Sequence, residues 1–118
     1  MIVDDEPDMV VMLTMEIELG GGDDLVVVAT AASGAEALRT FADARPDVMV
    51  IDYMMPDSNG LEVAAKVLTA NPTQSIILFS AFLTDQTISM AREVGIRECV
   101  SKSRMKDLPN VLRKYAPT

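Results

Sequence analysis

Short apolar runs alternate along the chain with stretches in which apolar residues recur at helical spacing. The runs at 1–3, 25–30, 48–51 and 75–80 are rich in β-branched residues and predict strands buried on both faces, and 98–101 predicts a weaker fifth strand. Helical periodicity predicts helices at 7–19, 33–41, 61–70, 84–94 and 106–115. Five strand–helix units in succession predict one doubly wound α/β sandwich with all five strands parallel.

Local signals mark the ends of these helices. Pro7 suits the first turn of the first helix, and the three glycines at 20–22 end it. Ser33 and Glu36 form a capping box, while Gly95 follows the fourth helix in the usual capping place. Pro109 is tolerated only in the first turn of the last helix.

The first strand is unusually short. Central parallel strands usually have about five or six residues, and here only 1–3 precede a run of acidic residues. We therefore expect one domain over 1–118 whose first strand is compatible with truncation at its N-terminus.

The amino-acid composition argues against several classes of function. Ten basic against eighteen acidic residues and a net charge of −8 argue against a nucleic-acid surface. No leader or apolar run of membrane-spanning length is present in the sequence, so a soluble cytoplasmic protein is expected, and the single Cys99 fits a reducing compartment. The absence of histidine excludes Ser-His-Asp triads and His-rich metal sites.

Polar side chains follow four of the predicted strands. Because parallel strands end at the same edge of a sheet, that edge should collect Asp4, Asp5, Asp52, Ser80 and Lys102. Two carboxylates about 4 Å apart repel by about 4 kcal/mol at an effective dielectric of 20. Oxygen ligands of this kind favour a hard divalent cation such as Mg²⁺, and Lys102 would add a further positive charge.

This arrangement predicts that Asp52 is a nucleophile that accepts a phosphoryl group, forming a labile acyl phosphate. Ser80 is placed to move toward the added charge. Each residue alone has an ordinary explanation: Asp4 and Asp5 as helix capping, Asp52 as a turn former, Ser80 as a strand-end hydroxyl, Lys102 as a surface lysine. Their joint occurrence at four strand ends favours the functional interpretation.

Four motifs carry a resemblance to the receiver domain of two-component response regulators: IVDDEP at 2–7, VIDYMMPDSNG at 50–60, LFSA at 78–81 and VSK at 100–102. The resemblance covers essentially the whole chain. It implies a flavodoxin-like sheet in the order 2-1-3-4-5 and a phosphoacceptor rather than a turnover enzyme. For Mg²⁺, or Mn²⁺ in its place, it implies direct contacts from Asp5, Asp52 and the backbone carbonyl of Met54, and a contact through water from Asp4. It also implies switch roles for Ser80 and Lys102.

The resemblance further implies partners. The phosphoryl donor would be a phosphohistidine on a sensor histidine kinase or histidine phosphotransfer protein. The output would pass to a downstream protein or effector domain that the sequence does not identify. A homodimer through the fourth helix, fifth strand and fifth helix is a further expectation, with no direct contact to nucleic acid or membrane.

Two positions depart from the family pattern. Cys99 stands where the family usually has Tyr or Phe, and Ser103 stands where it usually has Pro, so the Lys102–Ser103 peptide should be trans. These departures leave open an alternative, a pseudo-receiver that acts as a constitutive protein-interaction module without switching. A haloacid-dehalogenase-like phosphatase is disfavoured because Met54 occupies the place of its second acid. A flavin carrier is disfavoured because 4–6 would repel its phosphate.

Overall fold

Five parallel strands and five helices make up the fold in this computed structural model, which describes residues 1–20 and 24–117. The strands are β1 Ile2–Val3, β2 Thr30–Ala31, β3 Val48–Asp52, β4 Ser75–Ser80 and β5 Glu98–Ser101. The helices are α1 Pro7–Gly20, α2 Gly34–Ala44, α3 Gly60–Ala70, α4 Asp85–Val94 and α5 Leu108–Tyr115, and a 3₁₀ segment spans Lys102–Asp107. The sheet order β2-β1-β3-β4-β5, parallel throughout, confirms the predicted fold class.

Two apolar clusters pack on the two faces of this sheet. Successive side chains of a strand point to opposite faces, so Met49 and Ile51 of β3 join one cluster while Val50 joins the other. The first cluster includes buried residues of α2, α3 and α4, and the second includes buried residues of α1 and α5. The helices therefore cover both faces of the sheet, whereas the ends of the strands are not covered by these two clusters.

The second strand is much shorter than the predicted run at 25–30, and the prediction that it is buried on both faces is wrong. Only Thr30–Ala31 pairs as a strand, while residues 25–29 alternate between half-buried and exposed, with Val26 68% and Val28 56% exposed. β2 pairs with β1 at Ile2 and Val3, and Ile2 N also donates to Ala29 O at 3.1 Å. Residues 25–28 precede this paired stretch.

The start of β1 borders a cavity of about 120 Å³, lined by apolar residues such as Met1, Ile17 and Val48 and by the charged residues Asp24, Arg45 and Asp47. Met1 N donates to Val48 O at 3.0 Å, which joins the start of β1 to the start of β3.

Several predicted helix ends are confirmed, but α2 continues to Ala44, three residues beyond its predicted end at 41. Ser33 Oγ accepts from Glu36 N, as the capping box requires, Thr84 caps α4, and Gly95 takes a left-handed conformation with φ 112°. The last helix begins at Leu108 rather than at 106, because the chain continues from β5 into the 3₁₀ segment, which is kinked at Arg104. Gly20 is the last residue of α1, whereas the other two glycines of the predicted stop lie outside the described residues.

Within residues 1–20 and 24–117, no helix combines the length and apolar character needed to span a bilayer.

Candidate functional site

The polar residues predicted to share one edge of the sheet follow neighbouring strands in the structure. Asp4 and Asp5 come directly after β1, Asp52 ends β3, Ser80 ends β4, and Lys102 follows β5. Carboxylate oxygens of Asp4, Asp5 and Asp52 all lie within 4.8 Å of one another. Strand register extends this edge, because Asp52 is paired with Phe79, the residue before Ser80, and Ser80 is paired with Ser101, the residue before Lys102.

The Lys102 ammonium lies between two of these carboxylates. Its Nζ is 3.2 Å from Asp52 Oδ1 and 3.5 Å from Asp4 Oδ2, and the side chains of all three residues are largely buried. The ammonium also lies 6.0 Å from the centre of the Phe79 ring. The positive charge of Lys102 therefore partly neutralises the negative charges of Asp4 and Asp52.

Burial and charge shift the pKa values of the central pair. Desolvation, followed by repulsion from Asp4, raises the pKa of Asp52, although Lys102 opposes the shift. Burial acts to lower the pKa of Lys102, but attraction to Asp52 and Asp4 outweighs it, so that pKa is raised. Asp52 is thus a carboxylate whose negative charge the surrounding protein compensates only in part.

The donor atoms suit a hard divalent cation. Asp4 Oδ1 accepts from Glu6 N at 2.9 Å, whereas Asp4 Oδ2 is buried and has no hydrogen bond, and the Lys102 ammonium lies 3.5 Å from it. A buried carboxylate oxygen without a hydrogen-bond donor is costly unless a cation approaches it. An all-oxygen set of three carboxylates fits Mg²⁺ or Mn²⁺ and does not fit metals that prefer thiolate or imidazole ligands.

The loop between β3 and α3, residues 53–59, carries Met54, whose side chain is 70% exposed. Met54 pairs with Asn59 across this loop, Met55 N donates to Ser58 O at 3.1 Å, and Gly60 N donates to Tyr53 O at 2.6 Å. A Cβ at Gly60 would come within 2.5 Å of the backbone oxygen of Asp52. Glycine at 60 therefore lets α3 begin directly against the residue that carries the central carboxylate.

The Ser80 hydroxyl is buried and bonded to the loop that follows β4. It donates to Phe82 O at 3.1 Å and accepts from Phe82 N at 3.3 Å. Phe82 itself is 84% exposed. Ser80 thus holds the backbone of the next two residues against the strand end in this conformation.

The two positions that depart from the family pattern have ordinary surroundings. Cys99 is half-buried and packs against the first apolar cluster, and burial raises the pKa of its thiol. Ser103 N donates to Ser101 Oγ at 3.3 Å, and no described peptide bond is cis, so the predicted trans Lys102–Ser103 peptide is confirmed.

Sequence reasoning did not single out Asp57, which turns out to join two parts of the fold. Its carboxylate accepts from Gly34 N at 3.2 Å and from Ala35 N at 3.1 Å, at the beginning of α2. These backbone hydrogen bonds, Ala35 first, hold the pKa of Asp57 below its usual value. The only sequence signal was an aspartate in a turn, which does not reveal a bond spanning more than twenty residues.

Comparison with known proteins agrees with this description. The model of the response regulator receiver domain matches residues 1–113. Chemotaxis protein CheY of Listeria monocytogenes is 30% identical over 100 residues, covering 85% of this chain and 84% of that protein. A protein of Mycobacterium tuberculosis named "Probable transcriptional regulatory protein TcrX" is 36% identical over 81 residues, covering 69% of this chain and 33% of that protein.

Solved structures show the same fold. That of chemotaxis protein CheY4 of Vibrio cholerae aligns with a TM-score of 0.86 at 25% identity, covering 97% of this chain and 94% of the other.

The fold and site together define a flavodoxin-like α/β domain with an acidic cluster and a lysine at the carboxyl edge of its sheet. The chain belongs to the response regulator receiver domain family of two-component systems. Receiver domains are signalling modules rather than turnover enzymes, and they act with histidine kinases and effector domains.

Proposed function

We propose that this receiver domain accepts a phosphoryl group on Asp52 in a Mg²⁺-dependent reaction and thereby switches a protein-interaction face. The observation that carries the proposal is the position of the Asp52 carboxylate, 3.2 Å from the Lys102 ammonium and within 4.8 Å of the other two carboxylates. A partly compensated carboxylate at the carboxyl edge of a parallel sheet is suited to attack a phosphorus atom.

In the proposed transfer an Asp52 carboxylate oxygen forms a bond to phosphorus while the bond from phosphorus to the donor atom breaks. The leaving group departs with the bonding electron pair. Because the 118 residues contain no histidine, a phosphohistidine donor would belong to a partner, either a sensor histidine kinase or a histidine phosphotransfer protein. Attack of water on the acyl phosphate would return the carboxylate and release inorganic phosphate.

The metal would be held by Asp5, Asp52 and the backbone carbonyl of Met54, with Asp4 acting through water. When bound, Mg²⁺ or Mn²⁺ supplies positive charge beside the phosphoryl oxygens. Lys102 would pair with one of these oxygens once the phosphoryl group is present. Phosphoryl transfer needs little beyond such positioning and charge neutralisation.

Ser80 would connect the modification to the rest of the molecule. Its hydroxyl is already engaged with both backbone groups of Phe82, so a bond to the phosphoryl group would require it to release at least one of them. Release would change the loop before α4 and hence the face made by α4, β5 and α5. This face would bind the downstream partner or a second copy of the chain.

The test is a mass measurement. Incubation with acetyl phosphate and Mg²⁺ should add one phosphoryl group to the unmodified chain, and Asp52→Asn should abolish the addition. Failure of the unmodified chain to gain mass with acetyl phosphate or a phosphohistidine donor would overturn the proposal.

A second candidate is a pseudo-receiver that binds a partner without switching, which the Cys99 and Ser103 departures favour. Amide chemical shifts recorded with and without beryllofluoride distinguish the two functions. Shifts across Thr84 to Gly95 support a switch, whereas changes confined to the acidic cluster support the pseudo-receiver.

A further inference from the structure

The loop of residues 53–59 has two kinds of attachment to the rest of the protein. One kind is local: Met55 N donates to Ser58 O within the loop, and the loop bonds the first turn of α3, where Tyr53 O accepts from Gly60 N and Asn59 accepts from Glu62 N and Val63 N. The other kind is distant, because Asp57 reaches α2, with Oδ1 accepting from Gly34 N at 3.2 Å and Oδ2 from Ala35 N at 3.1 Å. The bidentate arrangement fixes the carboxylate in both position and orientation.

The beginning of α2 is built to receive this loop. The first N–H groups of a helix have no partner within the helix, and here Asp57 satisfies those of Gly34 and Ala35 while Ser33 satisfies that of Glu36. Negative charge at this end is also favoured by the helix dipole. A side chain at Gly34 would collide with Ser58 Oγ and with Val63, so glycine at 34 permits the close approach.

Asp57 and Met54 belong to one short loop closed by the Met54–Asn59 pairing. A loop held at both ends and tied to a helix in the middle has few alternative conformations. The conformational entropy needed to order its backbone carbonyls around a cation is then largely lost already on folding. Without the Asp57 bonds this cost would fall on the binding step.

We propose that Asp57 is a positioning residue that ties the loop bearing Met54 to the N-terminus of α2 and thereby raises the Mg²⁺ affinity of the Asp4, Asp5 and Asp52 cluster. The inference rests on the metal site described under the proposed function. By thermodynamic reciprocity, Mg²⁺ should in turn stabilise the Asp57 bonds and protect the amides of Gly34 and Ala35. The beginning of α2 is then energetically coupled to the metal site although it contributes no ligand to it.

Calorimetric titration with MgCl₂ tests the inference in three variants. Asp57→Ala should weaken Mg²⁺ binding about tenfold, the scale typical of residues that orient metal ligands. Asp43→Ala, an exposed aspartate of α2, makes the same change in net charge and should leave the affinity within about twofold. Gly34→Ala keeps the charge but obstructs Ser58, and it too should weaken binding.

Amide hydrogen exchange supplies a readout that a merely structural role would not move. In the unmodified chain Mg²⁺ should slow exchange at Gly34 and Ala35, and in Asp57→Ala this effect should disappear. If Asp57→Ala does not fold, Asp57→Asn takes its place in both measurements, and because asparagine keeps one acceptor oxygen the effect should then be reduced rather than lost.

Equal affinities for the unmodified chain and a folded Asp57 variant would overturn the inference and leave the metal site standing. A loss of Mg²⁺ affinity in Asp43→Ala as large as that in Asp57→Ala would also overturn the inference, because the change in net charge would then explain both losses. An unmodified chain that binds no Mg²⁺ would overturn the metal site itself, and the inference with it.

Discussion

Lys102 Nζ lies 3.2 Å from Asp52 Oδ1, so the candidate phosphoacceptor is already paired with a cation of its own chain. The same ammonium lies 3.5 Å from Asp4 Oδ2. A metal ion entering this cluster would therefore compete with Lys102 for the same oxygens. This competition makes the stability of the fold and the affinity of the site depend on one another.

Replacing Lys102 should lower stability and raise metal affinity together. Lys102→Met leaves two largely buried carboxylates without their cation, and we expect a loss of roughly 2 kcal/mol in unfolding free energy in metal-free buffer. Urea unfolding with EDTA and then with Mg²⁺ measures both effects, since added Mg²⁺ should restore more stability to the variant than to the unmodified chain. Lys66→Met, an exposed lysine of α3, is the matched control, and equal losses in the two variants would contradict the prediction.

Asp52→Asn should change how stability depends on pH. The folded state raises the pKa of Asp52 above its ordinary value of 3.8, so the folded chain binds this proton more tightly than the unfolded chain does. The contribution of protonated Asp52 to the free energy of unfolding is therefore present below about pH 3.8 and is lost as the pH rises above it.

Asparagine does not ionise, so Asp52→Asn does not lose stability in this way as the pH rises. We expect it to be more stable near pH 7 by roughly 1 kcal/mol, or about 4 °C in Tm. Urea unfolding across acid to neutral pH measures the difference, with Asp43→Asn as control. A variant that is less stable than the unmodified chain near pH 7 would count against this electrostatic description.

Gly60→Ala should be strongly destabilising. The added Cβ would meet the backbone oxygen of Asp52 at 2.5 Å, and neither atom belongs to a flexible side chain. We expect a cost of about 2–3 kcal/mol, measured by urea unfolding. Gly20→Ala is the control, because the nearest atom to its Cβ is Glu16 Oε1 at 3.6 Å and α1 already continues to this residue. A Gly60→Ala variant as stable as the control would show that the start of α3 is free to shift.

Ser80→Ala should leave phosphorylation of Asp52 intact but abolish the conformational response of the loop at Phe82. The variant keeps Asp52 and should still gain phosphoryl mass from acetyl phosphate. It lacks the hydroxyl that bonds Phe82, so the Phe82 amide should no longer respond to beryllofluoride, and stability should fall by about 1 kcal/mol. Ser80→Thr keeps the hydroxyl and should retain the response. A normal Phe82 response in Ser80→Ala would remove Ser80 from the switch.

The sequence predicts the site well where position along a strand is enough to determine it. Val48–Asp52 and Ser75–Ser80 are long apolar runs, and once all strands are parallel, Asp52 and Ser80 must end at the same edge. The capping box at Ser33 is equally local, because both partners lie within four residues.

Features that depend on a distant neighbour were not predictable in the same way. The run at 25–30 has strand propensity along its whole length, but strand pairing joins residues far apart in the sequence, and only Thr30–Ala31 pairs with β1. The bonds from Asp57 to α2 span more than twenty residues, so no local sequence pattern predicts them. The competition between Lys102 and a metal likewise follows from distances that only the folded chain defines.

The segment 25–28 has a consequence for how the molecule opens. It precedes the paired residues Thr30–Ala31, and Val26 and Val28 are turned to solvent. Regions with few sheet bonds and little buried apolar surface unfold locally at the lowest free energies. Limited proteolysis should therefore cut near these two valines before it cuts near Asp52, which is buried at the end of the five-residue strand β3.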